Sequence, residues 1–323
     1  VARDNAPLFE PEKPMVDGAP PPYRVLRPPE IAEKVIAAGV RTATMDLLSL
    51  VLLSLLGGAF IGLAANLFTV AVTGANGLPF GVGNLLGGAA FCLGLVLVVV
   101  AGAELFTGSN MSAVMALADG KIALPRMLRA WLIVYAVNLL GAVALVWLLS
   151  GTGQWGLAGG AVGRKAVAIA TAKCELTFVQ AFTRGIVCNM LVCLAIWVCY
   201  SAHSTTDRIL GIFFPITAFV ACGFEHSVAN MYLIPAGLLP AAQHGPADGL
   251  TWQAMFVRNL LPVTLGNILG GGVLVGLVYW LVYCRKGSSQ RAHEATPGSG
   301  SPSASHDSLG KCGSSPRPPR SPH

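Results

Sequence analysis

Glu225 and His226 stand side by side in GFEHSVANMY, within a long apolar stretch. A histidine there can hydrogen-bond a small solute or pass it a proton. A second carboxylate, Glu104, stands in GAELFTGSNM, and the two segments echo each other. Each carries Gly, one residue, Glu, and then Asn-Met after a short polar run. Carboxylates are costly in lipid unless paired or hydrogen-bonded. Both are expected to cap broken helices, taking the backbone donors that a helix start leaves free. A metal needs three or four ligands, and no second His or Cys has a suitable spacing, so neither a metal nor a cofactor is expected. Asn189, a buried amide, is expected to bind the loop of the fifth span described below. GNILGGG, near Asn267, lacks the Lys-Ser/Thr and the preceding strand of a phosphate loop, and reads as close helix packing.

The elements that must hold these residues are membrane helices. The 323 residues are 54% hydrophobic and only 11% charged, with a mean hydropathy of +0.65, whereas soluble domains carry about 25% charged residues. Leu47–Ala103 has no charged residue, and Ala130–Gly163, Gly185–Thr206, Ile209–Phe224 and Asn259–Cys284 are equally bare. A spanning helix needs about 20 such residues. Six spans are expected, near Met45–Ala65, Gly81–Ala118, Arg129–Leu149, Phe178–Tyr200, Asp207–Leu239 and Asn259–Tyr283. The second and fifth are too long for one crossing and should break at the two echoing segments. Interrupted spans at matching places of two halves point to an inverted repeat with a midplane site. With six spans, one side holds both tails and sixteen of the twenty-one Lys and Arg, as positive-inside bias requires. The net charge of +6 therefore reflects topology and implies no nucleic-acid partner. The cysteines inside apolar stretches read as small core residues.

Residues 1–28 are rich in Pro and charge and are expected to be disordered, as is the Ser/Pro/Gly-rich tail 285–323. Between them, 29–284 should form the six-span domain, opened by an amphipathic helix at the membrane surface with Pro28 and Pro29 in its first turn. Arg164 and Lys165 are placed in a loop before the fourth span. The chain opens at Val1 and not at Met, so either a processed or a trimmed start is expected.

AGAELFTGSNM, RGIVCNMLVCLAIW, GFEHSVANMYLIP and NLLPVTLGNILGGGVLVGLVYW resemble the signature segments of the formate/nitrite transporter family, over roughly Pro29 to Tyr283. The resemblance implies an all-α, aquaporin-like fold of six helices in two inverted halves. It also implies a homopentamer with one pore per protomer and passage of small monovalent anions through a lipid bilayer. It makes His226 the central pore histidine and Thr107 its hydroxyl partner. Phe91, Leu95 and Phe219 match the family's apolar constrictions, with Leu105 and Phe106 as further gate members, and Lys173 matches a vestibule lysine. Cys174, Glu175 and Leu176 replace the His pairs that some bacterial relatives carry there, and Glu175 is expected to offset part of the Lys173 charge. An apolar ring strips hydration from an ion, and a cation at the mouth concentrates anions.

The Pro-rich N-tail, the low-complexity C-tail and the Ala/Gly-rich spans resemble green-algal chloroplast-envelope members associated with nitrite and bicarbonate. The expected substrates are therefore bicarbonate or nitrite first and formate second, and the expected location is the chloroplast inner envelope, or else a plasma or inner membrane. An aquaporin-type neutral-solute channel would share the architecture, but neither break contains Asn-Pro-Ala. No constellation suited to enzyme catalysis is present.

Overall fold

The computed structural model describes residues 25–244 and 249–285. The expected tails lie outside the described residues, except for 25–28 and 285. Helices follow one another in two runs of the same plan. The first run is α1 (Pro28–Thr44), α2 (Leu47–Ala71), α3 (Phe80–Gly102), α4 (Phe106–Ala118) and α5 (Leu124–Ser150). The second is α6 (Leu157–Cys174), α7 (Phe178–Ser201), α8 (Thr205–Ala221), α9 (Ser227–His244) and α10 (Trp252–Tyr283). Local chemistry sets several starts. Asp46 accepts the Ser49 N–H at 2.9 Å ahead of α2, and Thr251 accepts the Ala254 N–H at 3.0 Å ahead of α10. Thr177 with Gln180, and Ser204 with Asp207, close reciprocal caps on α7 and α8.

Among the described residues, five helices, α2, α3, α5, α7 and α10, are long and apolar enough to cross a membrane. Large apolar side chains such as Leu132, Trp147, Leu148 and Phe214 stand exposed, as a lipid-solvated surface requires. The chain is an integral, multi-pass membrane protein. The expected fifth span, Asp207–Leu239, is not one helix but α8 and α9, and neither is among those five. The expected second span likewise divides into α3 and α4. Both α4 and α9 are short and largely buried; Met111, Met115, Tyr232 and Ile234 are inaccessible to solvent.

Two differences from the sequence expectation matter for the site. Arg164 and Lys165 lie in α6, not in a loop, and α6 buries Val162, Ala166, Ala170 and Cys174 at a four-residue spacing. In α1, the apolar face formed by Ile31, Val35 and Ile36 is buried within the protein, and Gly39 lies against the Ser112 backbone of α4.

The long helices of each run pack through glycine. A side chain at Gly141 of α5 would strike the Leu55 carbonyl of α2. In the second run, one at Gly270 of α10 would strike the Ile186 carbonyl of α7. Small residues at such points let backbones approach closely in lipid.

Candidate functional site

Gly102, with φ +88°, ends α3; Ala103 and Leu105 are extended, and α4 starts at Phe106. In the second run Gly223, with φ +68°, follows α8, and α9 starts at Ser227. Glycine adopts such left-handed conformations without a Cβ penalty.

One asparagine holds each interruption. Asn138 of α5 accepts the Phe106 N–H at 3.0 Å and donates to the carbonyls of Ser54 (2.7 Å) and Glu104 (3.0 Å). Asn267 of α10 accepts the Ser227 N–H at 2.9 Å and donates to the carbonyls of Gly185 (2.8 Å) and Glu225 (3.0 Å). A further bond repeats too: the Glu104 N–H donates to the Leu53 carbonyl, and the Glu225 N–H to that of Arg184. Each amide therefore grips the carbonyl before one residue and the N–H after it. The gripped residue is Leu105 in the first run and His226 in the second.

This corrects the role expected of the carboxylates. The freed donors at Phe106 and Ser227 go to amides, because an ionised carboxylate only accepts while an amide accepts and donates at once. The sequence reading gives neither asparagine this role, although Asn138-Leu-Leu-Gly and Asn267-Ile-Leu-Gly repeat inside two charge-free runs.

The carboxylates instead bind side chains from the helix that leads each run. Glu104 accepts from the Thr42 hydroxyl at 3.0 Å and pairs at 3.5 Å with Arg41, whose side chain is 70% exposed. Glu225 accepts from Lys173 at 2.8 Å, from Asn230 at 2.6 Å and from Asn259 at 3.3 Å, and only 16% of the Lys173 side chain is exposed. Asn259 also donates to the Lys173 carbonyl at 2.9 Å. The charge of Lys173 is thus met by Glu225, rather than by the expected neighbour Glu175.

The two runs meet at His226. Its Nε2 lies 2.8 Å from the Thr107 hydroxyl of α4, while Nδ1 accepts the Ala229 N–H at 3.0 Å. Because Nδ1 accepts, the ring proton sits on Nε2 and is donated to Thr107 Oγ. The Thr107 hydroxyl hydrogen is then left to be offered elsewhere. Phe219 stacks on the imidazole with centroids 6.0 Å apart and meets Phe91 edge-on at 5.6 Å. Leu95 lies one turn beyond Phe91 on α3 and is buried.

A cavity opens beside each interruption. One of about 580 Å³ is lined by Leu105, Gly108 and Glu104, with Lys34, Arg41 and Arg208 among its walls. The other, about 100 Å³, is lined by His226, Phe91, Phe219, Glu225 and Lys173. Thr107, between Leu105 and Gly108 in sequence, and His226 therefore join residues of one cavity to residues of the other.

Like Thr107 and Leu95, Phe106 lines neither cavity; its ring packs edge-on against Tyr135 at 4.9 Å and Trp131 at 6.0 Å. Asn189 does not reach the fifth-span loop; it donates to the carbonyls of Thr107 (3.2 Å) and Asn267 (2.7 Å) and to Asn110 Oδ1 (3.0 Å). It ties α7 to α4 and α10. Among the described residues, no group of three or more His, Cys, Asp or Glu could hold a metal. The arrangement can offer hydrogen-bond donors to a small acceptor between the two cavities, whose walls include Lys34, Arg41, Arg208 and Lys173.

Comparison with known proteins bears on what that acceptor is. A model described as "Formate/nitrite transporter" matches residues 29–281. The chain is 40% identical over 277 residues to the formate channel FocA of Escherichia coli strain K12, covering 82% of this chain and 97% of that one. It is 41% identical over 272 residues to the uncharacterized transporter YrhG of Bacillus subtilis strain 168, covering 82% and 96%. A solved structure, a pentameric formate channel with formate bound, superposes with a TM-score of 0.67 at 42% identity and covers 78% of this chain and 99% of its own.

Proposed function

Since the chain belongs to the formate/nitrite transporter family, a family of transporters and not of enzymes, we propose that it is a homopentameric formate channel with one pore in each protomer. The observation that carries this reading is the Thr107–His226 hydrogen bond, which joins the two helix interruptions between two cavities. An anion moving from the larger cavity passes Leu105, meets the Thr107 hydroxyl hydrogen and the polar edge of His226, and leaves past Phe219 and Phe91. Leu95 backs this second constriction. The donors offset part of the several kcal/mol that an ion loses on leaving water. The starts of α4 and α9 add positive partial charge nearby, and Asn189 fixes the turn that carries Thr107.

The chain crosses the membrane six times, with α3/α4 and α8/α9 as broken crossings. Each run then crosses three times, so the second enters from the opposite side and the halves are inverted. Residues 29–284 form this channel domain.

Formate is placed ahead of bicarbonate and nitrite, which reverses the order drawn from composition. Two of the similar proteins above are named for formate. The bicarbonate or nitrite preference and the envelope location rested largely on tails outside the described residues. The test is flux of formate, nitrite, bicarbonate and water through the purified protein in liposomes, with formate expected to be fastest. Fast water passage with no anion flux would overturn the reading.

A further inference from the structure

We propose that Asn138 and Asn267 are paired positioning residues for permeation, each fixing where one pore residue stands, and that Tyr135 and Thr264 couple the two settings. This rests on the reading in which His226 and Leu105 face the passing anion. Two bonds from each amide fall on the backbone around a single residue, a third anchors the amide to the Ser54 or Gly185 carbonyl, and both asparagines are inaccessible to solvent. In neither case is one of these bonds made to the pore side chain itself. Its effect passes through the peptide groups on either side of Leu105 or His226.

The coupling has its own geometry. Tyr135 precedes Asn138 by one helical turn, and Thr264 precedes Asn267 by one turn, so the two occupy corresponding places on α5 and α10. Their hydroxyls lie 2.9 Å apart. The Phe106 ring, on the first residue of α4, packs on Tyr135 at 4.9 Å. A shift of either amide therefore reaches the other through one hydroxyl pair. Both of α10's widened π turns, Met255–Leu260 and Ile268–Leu277, flank the stretch that carries Thr264 and Asn267. Such turns recur at functional sites.

The experiment measures formate flux against pH and the nitrite-to-formate flux ratio in proteoliposomes, normalised to assembled protein. Asn267→Ala should lower formate flux roughly tenfold and flatten its pH profile as His226→Phe does, although the histidine is intact. Asn138→Ala should leave the pH profile in place and change the nitrite-to-formate ratio, because it releases Leu105 instead. Tyr135→Phe should move both readouts by a smaller amount. Should the alanine variants fail to assemble, Asn267→Gln and Asn138→Gln keep the amide chemistry on a longer side chain and should move the same two readouts. Flux that falls only with the amount of folded protein, with profile and ratio unchanged, would leave the amides a purely structural role and overturn the proposal. Glutamine variants indistinguishable from the parent protein would do the same. A parent protein that conducts with a flat pH profile contradicts the His226 half alone, and one that carries no anion sinks both this proposal and the functional reading.

Discussion

At both interruptions an asparagine from the last helix of the run grips the carbonyl before and the N–H after one residue. In the first run that residue is leucine, its neighbouring carboxylate pairs with a solvent-exposed arginine, and the adjoining cavity is wide. In the second it is histidine, the carboxylate pairs with a largely buried lysine, and the cavity is about a sixth the size. The backbone frame is nearly the same in both. The difference between the two mouths lies in side chains, so the polarity of the passage can change without refolding it.

The two ion pairs should break that likeness most sharply. Removing Glu225 with Glu225→Gln strands the buried Lys173 charge, which should cost about 3 kcal/mol of stability. Glu104→Gln leaves Arg41 in water and should cost about 1 kcal/mol or less. Melting of the detergent-solubilised protein compares them, and equal losses would mean that burial does not distinguish the pairs. Next in size is the residue each amide holds. His226→Phe should cut formate flux roughly tenfold and flatten its pH dependence, whereas Leu105→Ala should alter flux and keep that dependence.

A third test compares the helices that lead the two runs. In the first turn of α6, Ala158 stands at φ +51°, followed by Gly159 and Gly160, also left-handed, while α1 opens on two prolines. Ala158→Gly should raise stability by about 0.5–1 kcal/mol by relieving a conformation that disfavours a Cβ. A lowered melting temperature would contradict this. The smallest effect concerns entry. Lys173 is the cation expected to concentrate anions at the mouth, but its charge is already met by Glu225. Arg41→Gln should instead slow anion entry from the larger cavity about twofold at low ionic strength and match the parent protein in high salt. A defect that persists in high salt would argue against steering.

Much of this frame was legible in advance. The charge-free runs contain most of the five long helices, and Glu104 and Glu225 stand in the segments between α3 and α4 and between α8 and α9. His226 stood out as a titratable group in an apolar run, and its contact with Thr107 agrees with the resemblance. The amide grips were hidden because a lone asparagine leaves a span's hydropathy almost unchanged. α6 was hidden because its buried positions are mostly small residues, which give a faint apolar stripe. The partners of Asn189 and the inward turn of Phe106 depend on how helices rotate against one another, and a single sequence carries no such angle.

The bond from the Ala229 N–H to the His226 ring has a further consequence. A neutral imidazole with its only proton on Nε2 can lend that proton in a hydrogen bond, but giving it away would leave an anionic ring in an apolar passage. To serve as an acid, the ring must first take a second proton at Nδ1, and that evicts the Ala229 amide. Acid chemistry at this histidine is thus linked to loosening of the first turn of α9. Hydrogen exchange at one backbone amide, that of Ala229, becomes a reporter of whether the channel lends protons or gives them.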